Sequence, residues 1–164
     1  MTITSMDYAT ETHLRAADRP AGDTVALLDT HLLAEIAAGL GTAAPIQSLP
    51  GGNHRRWSYV IRAEHYEALI IAWPPGTGLA MHDHGGSLAA LHIIGGQLRE
   101  RYLDANGESH VRWLEAGDTV EMDGNHSHEM INLDDIEAFS VHVYSPPLAD
   151  NSFRIDDEIN LFST

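Results

Sequence analysis

Between residues 23 and 40 the apolar side chains Val25, Leu28, Leu32, Ile36 and Leu40 recur at steps of three and four, the stripe of an amphipathic helix. Asp23 stands where an N-cap is expected, and Gly39 and Gly41 stand where a helix would stop. Past Pro50-Gly51-Gly52 the period changes. The runs "WSYVIR", "YEALIIAW", "SLAALHII", "QLRERYL", "HVRWL", "DTVEM", "HEMIN" and "EAFSVHVYS" are short and separated by turn-forming stretches. Closely spaced strands of this kind predict an all-β core, an antiparallel sandwich or barrel. Ile94-Gly95-Gly96-Gln97 reads as a two-residue hairpin and Asn106-Gly107 as a second turn.

Length and composition narrow this picture. A chain of 164 residues suits a single domain, read here as a helical segment over 1–50 and a β-barrel carrying the chemistry over 51–164. With 43% hydrophobic and 20% charged residues the chain is globular in character. A net charge of -15 repels phosphate backbones and anionic lipid, and the "HRR" run at His54 to Arg56 is too short for a basic patch. No nucleic-acid or membrane partner is expected. Without a leader pattern or an apolar run near the roughly 20 residues that span a bilayer, a cytoplasmic monomer or small homo-oligomer is expected. There are no cysteines, so any metal must be held by nitrogen and oxygen.

The candidate chemistry lies in "GTGLAMHDHGGSLAALHIIGGQ", Gly76 to Gln97. In a strand, alternate side chains share a face, so His82 and His84 project together while Asp83 points away. Among 11 histidines a His-x-His pair alone is a weak signal, and its surroundings strengthen it. Gly76, His82, His84, Ala89 and Gly96 stand at spacings that resemble the first motif of the cupin superfamily. Gly117, His128 and Asn132 resemble the second. The resemblance implies a cupin fold, a double-stranded β-helix or jelly-roll barrel, with His82, His84 and His128 as metal ligands. Cupins commonly place a glutamate ligand where this chain has Ala89.

A further stretch, "FSVHVYSPP" from Phe139 to Pro147, resembles the thiol dioxygenase family typified by cysteine dioxygenase, as does "IAWPPGTGLAMHDHGGS" upstream. In that family serine, histidine and tyrosine at alternate positions form a relay beside an iron; here these are Ser140, His142 and Tyr144. The resemblance implies Fe(2+), a small thiol substrate and O2, with Tyr144 as hydrogen-bond donor and a sulfinic acid as product. Animal members link the relay tyrosine to a cysteine at the position of Ala89, which this chain cannot do. The family's carboxylate-binding arginine has no clean match in "RRWSYVIR". Arg56 and Arg62 are candidates through bidentate guanidinium recognition, and strand register equally admits Trp57 or Tyr59 to the pocket.

Plainer readings stand beside these. His92 in "ALHII" reads as a hydrogen-bonded core residue, and His126 rivals His128 as third ligand, with the spacing to Asn132 favouring His128. Trp73, Trp113 and Phe153 read as core or rim aromatics. A serine hydrolase triad at Ser140 and His142 lacks the flanking glycines of a nucleophile elbow. Three imidazoles also suit zinc, copper or nickel, which leaves two rivals: a cupin isomerase, hydrolase or lyase using another divalent metal, and a non-catalytic ligand-binding cupin.

Overall fold

A computed structural model describes residues 28–43, 49, 51–148 and 158–161. Helix α1 (Thr30–Ala43) precedes β1 (Arg56–Arg62), β2 (Glu67–Trp73), β3 (Thr77–His82), β4 (Leu88–Gly95), β5 (Gln97–Leu103), β6 (Ser109–Glu115), β7 (Thr119–Met122), β8 (Ser127–Ile131), β9 (Ala138–Ser145) and β10 (Glu158–Asn160). The strands form two antiparallel sheets, ordered β1-β2-β9-β4-β7 and β10-β3-β8-β5-β6. The all-β core with a helix before it is therefore as expected. β3 and β10 are additional to the runs read from the sequence, because β3 is embedded among turn residues and β10 in an acidic stretch.

Alternation along the strands builds the core. Leu69, Ile71, Trp73, Ala89, Leu91, Ile93, Val120 and Met122 of the first sheet face Leu79, Leu98, Leu114 and Met130 of the second. On the outer face of the first sheet, Ala68, Ala90, Val141 and Val143 are covered by Leu33 and Ala37 of α1. β2 and β9 are thus buried on both faces, which is why β2 reads as a continuous apolar run after Glu67. Trp73 is fully buried, whereas Trp113 is half exposed on β6; Phe153 lies outside the described residues.

Three local expectations are corrected. The helix begins at Thr30, with the Asp29 carboxylate accepting from the Leu32 amide at 2.8 Å as its cap; Asp23 and Val25 lie outside the described residues. Its fully buried line runs through Leu33 and Ala37, with Leu28, Ile36 and Leu40 of the expected stripe packed partly buried beside it and Leu32 40% exposed, because small residues let the helix sit close on the sheet. Gly41 continues that line instead of ending the helix: a Cβ there would meet His92 Cδ2 at 2.4 Å. The His92 ring is held by Thr119 Oγ1 at 2.8 Å, the structural role expected of it. Finally, Ile94 to Gln97 is no hairpin. Both edges of β4 are already occupied by β7 and β9, so the chain crosses to the other sheet. Asn106-Gly107 does close a hairpin, between β5 and β6, with Gly107 at φ 79°.

This packing gives opposite expectations for two glycines two residues apart. Gly39 has open space at its Cβ position, so Gly39→Ala should stabilise by roughly 0.5–1 kcal/mol through helix propensity. Gly41→Ala should destabilise by about 1 kcal/mol or more by overpacking against His92. Urea denaturation of the pair measures both, and equal effects would contradict the helix placement.

Candidate metal centre

β3 and β8 pair so that His82 lies directly opposite His128. The expected strand alternation does not extend to His84, because β3 ends at His82. A tight turn places His84 instead. Gly85 and Gly86 take φ of 60° and 89°, values open to glycine, while Asp83 Oδ1 accepts the Gly85 amide at 2.7 Å and the His84 carbonyl accepts the Ser87 amide at 3.1 Å. The rings of His82, His84 and His128 then stand 4.7–5.4 Å apart between centroids. One nitrogen from each lies within 4.8 Å of the others.

The donor set fits a metal ion. His84 is 3% exposed, yet neither of its ring nitrogens has a hydrogen-bond partner among the described residues. Such a buried polar group is costly without a ligand. The other two histidines are held by their far nitrogens: His82 Nδ1 to the Ala80 carbonyl at 2.8 Å and His128 Nδ1 to Glu100 Oε1 at 2.7 Å. Both partners are acceptors, so each Nδ1 carries the proton and each Nε2 keeps a lone pair for the cluster.

Glu100 is itself fully buried. Burial raises its carboxyl, but hydrogen bonds from His126, His128 and Arg112 outweigh that and hold it well below the usual carboxylate range. His126 Nε2 lies 3.1 Å from Glu100 Oε1 and Arg112 Nε donates to Oε2. His126 therefore groups with Glu100 behind His128 and away from the cluster of His82 and His84. The imidazoles stay neutral. Burial, reinforced by His128, lowers His82 to about 4, and burial with His128 and His82 lowers His84 to about 2.

β9 carries the second set. Ser140 Oγ lies 2.9 Å from His142 Nε2, and His142 Nδ1 lies 3.2 Å from Tyr144 Oη. The Tyr144 ring is 5.2 Å from that of His84, which joins this line to the histidine cluster. Burial pushes the Tyr144 phenol well above its ordinary value, with Glu67 adding to the effect. Burial, then His128 and His82, lowers His142 to about 3.

The arginines differ from expectation. Arg56 is committed to Glu137 and to the Gly52 and His54 carbonyls, and Arg62 is exposed, 4.2 Å over the Tyr59 ring. Neither joins the cluster. Arg55 is the buried one: it is 3% exposed and lies 5.9 Å from the Trp57 ring and 5.4 Å from that of Trp73, and its positive charge adds to the lowering of His82 and His142. Alternation explains it, since Trp57 and Tyr59 pack on the inter-sheet core while a bulge before Ile61 turns that residue to the helix side. Tyr59 thus faces inward, as one of the alternatives allowed. Arg55 at i−2 from Trp57 was the readable signal. Glu100, a charge at an inward position of "QLRERYL", was another.

A barrel of two antiparallel sheets with a clustered set of histidines defines the cupin class of double-stranded β-helix proteins. Solved structures agree. An uncharacterised conserved protein with a double-stranded β-helix domain from Klebsiella pneumoniae is 21% identical, covering 62% of this chain and 84% of that one, with a TM-score of 0.53. A Thermus thermophilus protein is 20% identical over 59% of this chain and 88% of its own, at a TM-score of 0.51. The oxalate decarboxylase of Lactobacillus farciminis is 19% identical, at a TM-score of 0.53, over 69% of this chain but only 33% of the decarboxylase. At such identities these likenesses show the fold alone. The family model for cysteine dioxygenase type I matches residues 51–154, well over half of the chain. The protein belongs to the cysteine dioxygenase type I family, a family of dioxygenase-type enzymes.

Two outcomes follow from the site. Glu100→Gln should weaken metal binding by about 10- to 100-fold, measured by competition with a chelator. Wild-type affinity in that variant would show that the carboxylate does not act on His128. Second, His82, His84 and His142 all lie below the 6.5 of a free imidazole, so the unfolded chain binds more protons and stability rises with pH. The metal-free protein should lose stability as the pH falls from 6.5 toward 4, by at most about 1.4 kcal/mol per pH unit for each histidine. Urea titrations at pH 7 and pH 5 check this; equal stability would mean that these rings are not buried neutral.

Proposed function

We propose that the protein is a mononuclear non-haem iron thiol dioxygenase that converts a small thiol bearing a carboxylate to its sulfinic acid. The observation that carries this reading is the approach of the Ser140, His142, Tyr144 line to three histidines that have no carboxylate among them. His82, His84 and His128 would hold the metal. Bound there, a ferrous ion would supply the positions at which thiolate and dioxygen meet. The overall reaction, RSH + O2 → RSO2H, balances without a further reductant: sulfur loses four electrons, O2 gains them, and both oxygen atoms end on sulfur.

The remaining roles fall to the chain itself. Arg55 offers two parallel N–H donors to a carboxylate, and the indoles of Trp57 and Trp73 hold its guanidinium in place. Tyr144 remains a neutral phenol and hydrogen-bonds the bound reactants. His142 and Ser140 fix its direction. The buried surroundings keep water from the reacting groups and strengthen each of these hydrogen bonds.

The direct test is anaerobic loading with Fe(II) followed by oxygen uptake with cysteine, 3-mercaptopropionate, mercaptosuccinate and cysteamine, the product being identified by mass spectrometry. Oxygen uptake and a sulfinate from at least one carboxylate-bearing thiol are expected, and uptake with none of the four overturns the proposal. Arg55→Gln should raise KM about tenfold or more for carboxylate thiols, the loss of a charge-assisted pair, while leaving metal content unchanged. An unaltered KM would remove Arg55 as the carboxylate anchor.

A further inference from the structure

Trp73 was read from the sequence as a core aromatic, and its ring is indeed buried in the inter-sheet core. Its indole Nε1 also lies 2.8 Å from Ser140 Oγ. An indole N–H can only donate, so the contact has one possible direction. We propose that Trp73 sets the polarity of the whole line through Ser140 and His142, leaving Tyr144 as a hydrogen-bond donor to what binds beside it.

Ser140 is fully buried, and among the described residues its hydroxyl has two partners, Trp73 Nε1 and His142 Nε2. Since Trp73 donates, the Ser140 proton is free to go to His142 Nε2, which must then be the unprotonated nitrogen. The His142 proton consequently sits on Nδ1 and is donated to Tyr144 Oη. The phenol accepts from His142, so its own proton points away from the line.

The opposite polarity has Tyr144 donating to His142 Nδ1 and His142 Nε2 donating to Ser140. Ser140 would then accept twice, and its own buried proton would have no acceptor among the described residues, an arrangement that folded proteins avoid. The neutrality of His142 that either polarity needs is consistent with its burial. Trp73 is in turn well fixed: its carbonyl accepts from Asn132 Nδ2 at 2.7 Å, and the Arg55 guanidinium lies 5.4 Å from its ring. Trp73 is thus a positioning residue, two groups removed from the phenol.

The tautomer of His142 decides the matter without reference to substrate or metal. In metal-free protein labelled with 15N-histidine, long-range 1H–15N correlation distinguishes Nδ1–H from Nε2–H, with His142 assigned by the signal missing in His142→Gln. The wild type should show Nδ1–H; Nε2–H overturns the proposal. Replacing Trp73 by 3-benzothienylalanine, which keeps the ring shape but has no N–H, or by Trp73→Phe, should shift His142 toward Nε2–H. An unchanged tautomer in a folded variant also overturns it. If the variants do not fold, the wild-type spectrum alone still decides.

The consequence for turnover rests on the proposed function. In the variants kcat should fall by about 100-fold, the lower end of the range for loss of a positioned proton donor, with KM and metal affinity within about twofold. A shifted tautomer with unchanged kcat would overturn the link to Tyr144 while leaving the polarity in place. Absence of oxygen uptake in the wild type would overturn the dioxygenase reading, on which the NMR result does not depend.

Discussion

Strand β9 is hydrogen-bonded along both edges, to β2 and to β4, over nearly its whole length. This double pairing is the constraint on which the site depends. Side chains alternate along a strand, so a slip of one residue would turn Ser140, His142 and Tyr144 out of the barrel and send Val141 and Val143 in. The register is locked from outside, where Val141 and Val143 lie under Leu33 and Ala37 of α1. Burying such side chains contributes roughly 1.5–3 kcal/mol each. A buried polar line, which would be costly if its groups were not paired with one another, is therefore held in place by apolar packing on the opposite face of the same strand.

The same strategy recurs in the histidine cluster. Neutral imidazoles are kept in a low-dielectric interior, and each fixed one is tied by its Nδ1–H to an acceptor from the chain. The two ties differ in strength. His82 is tied to the neutral carbonyl of Ala80, whereas His128 is tied to a carboxylate that also receives Arg112 and His126. The three histidines are thus not equivalent. His128 is the most strongly oriented and the most electron-rich, while His84, with no tie at either nitrogen among the described residues, is the one that would gain most from a bound ion.

What could be read from the sequence follows from this arrangement. The period-two strands and the alternate placement of Ser140, His142 and Tyr144 depend on local rules, and the structure places these groups where those rules put them; His128 was grouped with His82 and His84 only through the motif resemblance, and His84 is set by a glycine turn in place of the expected strand alternation. The failures are non-local. Which face of β1 turned inward was fixed by its pairing with β2, so the choice of Arg55 over Arg56 needed a partner strand that the local pattern does not name. The helix stripe was read along one border of the contact face, where Leu28, Ile36 and Leu40 pack, because Ala37 and Gly41 were weighed by hydropathy, when what mattered was how closely they let two elements approach. Trp73 looked like core, and it is core. Its second role came from Ser140, which lies 67 positions away in the chain.

Ala89 ties these points together. It lies opposite Tyr144 across the β4 and β9 pairing and opposite Met122 on the other side, fully buried. Directly opposed residues on neighbouring strands have their Cβ atoms about 5 Å apart. A glutamate at position 89 would therefore reach into the volume that the Tyr144 ring now fills. A carboxylate ligand from β4 and a phenol from β9 compete for one space beside the histidines, and this chain gives it to the phenol. The substitution changes charge as well as shape: the cluster keeps three neutral donors, and the anionic place at a bound ion is left to the substrate. On the proposed function that is what a thiolate requires, so the small residue at 89 and the bulky one at 144 act as one adaptation.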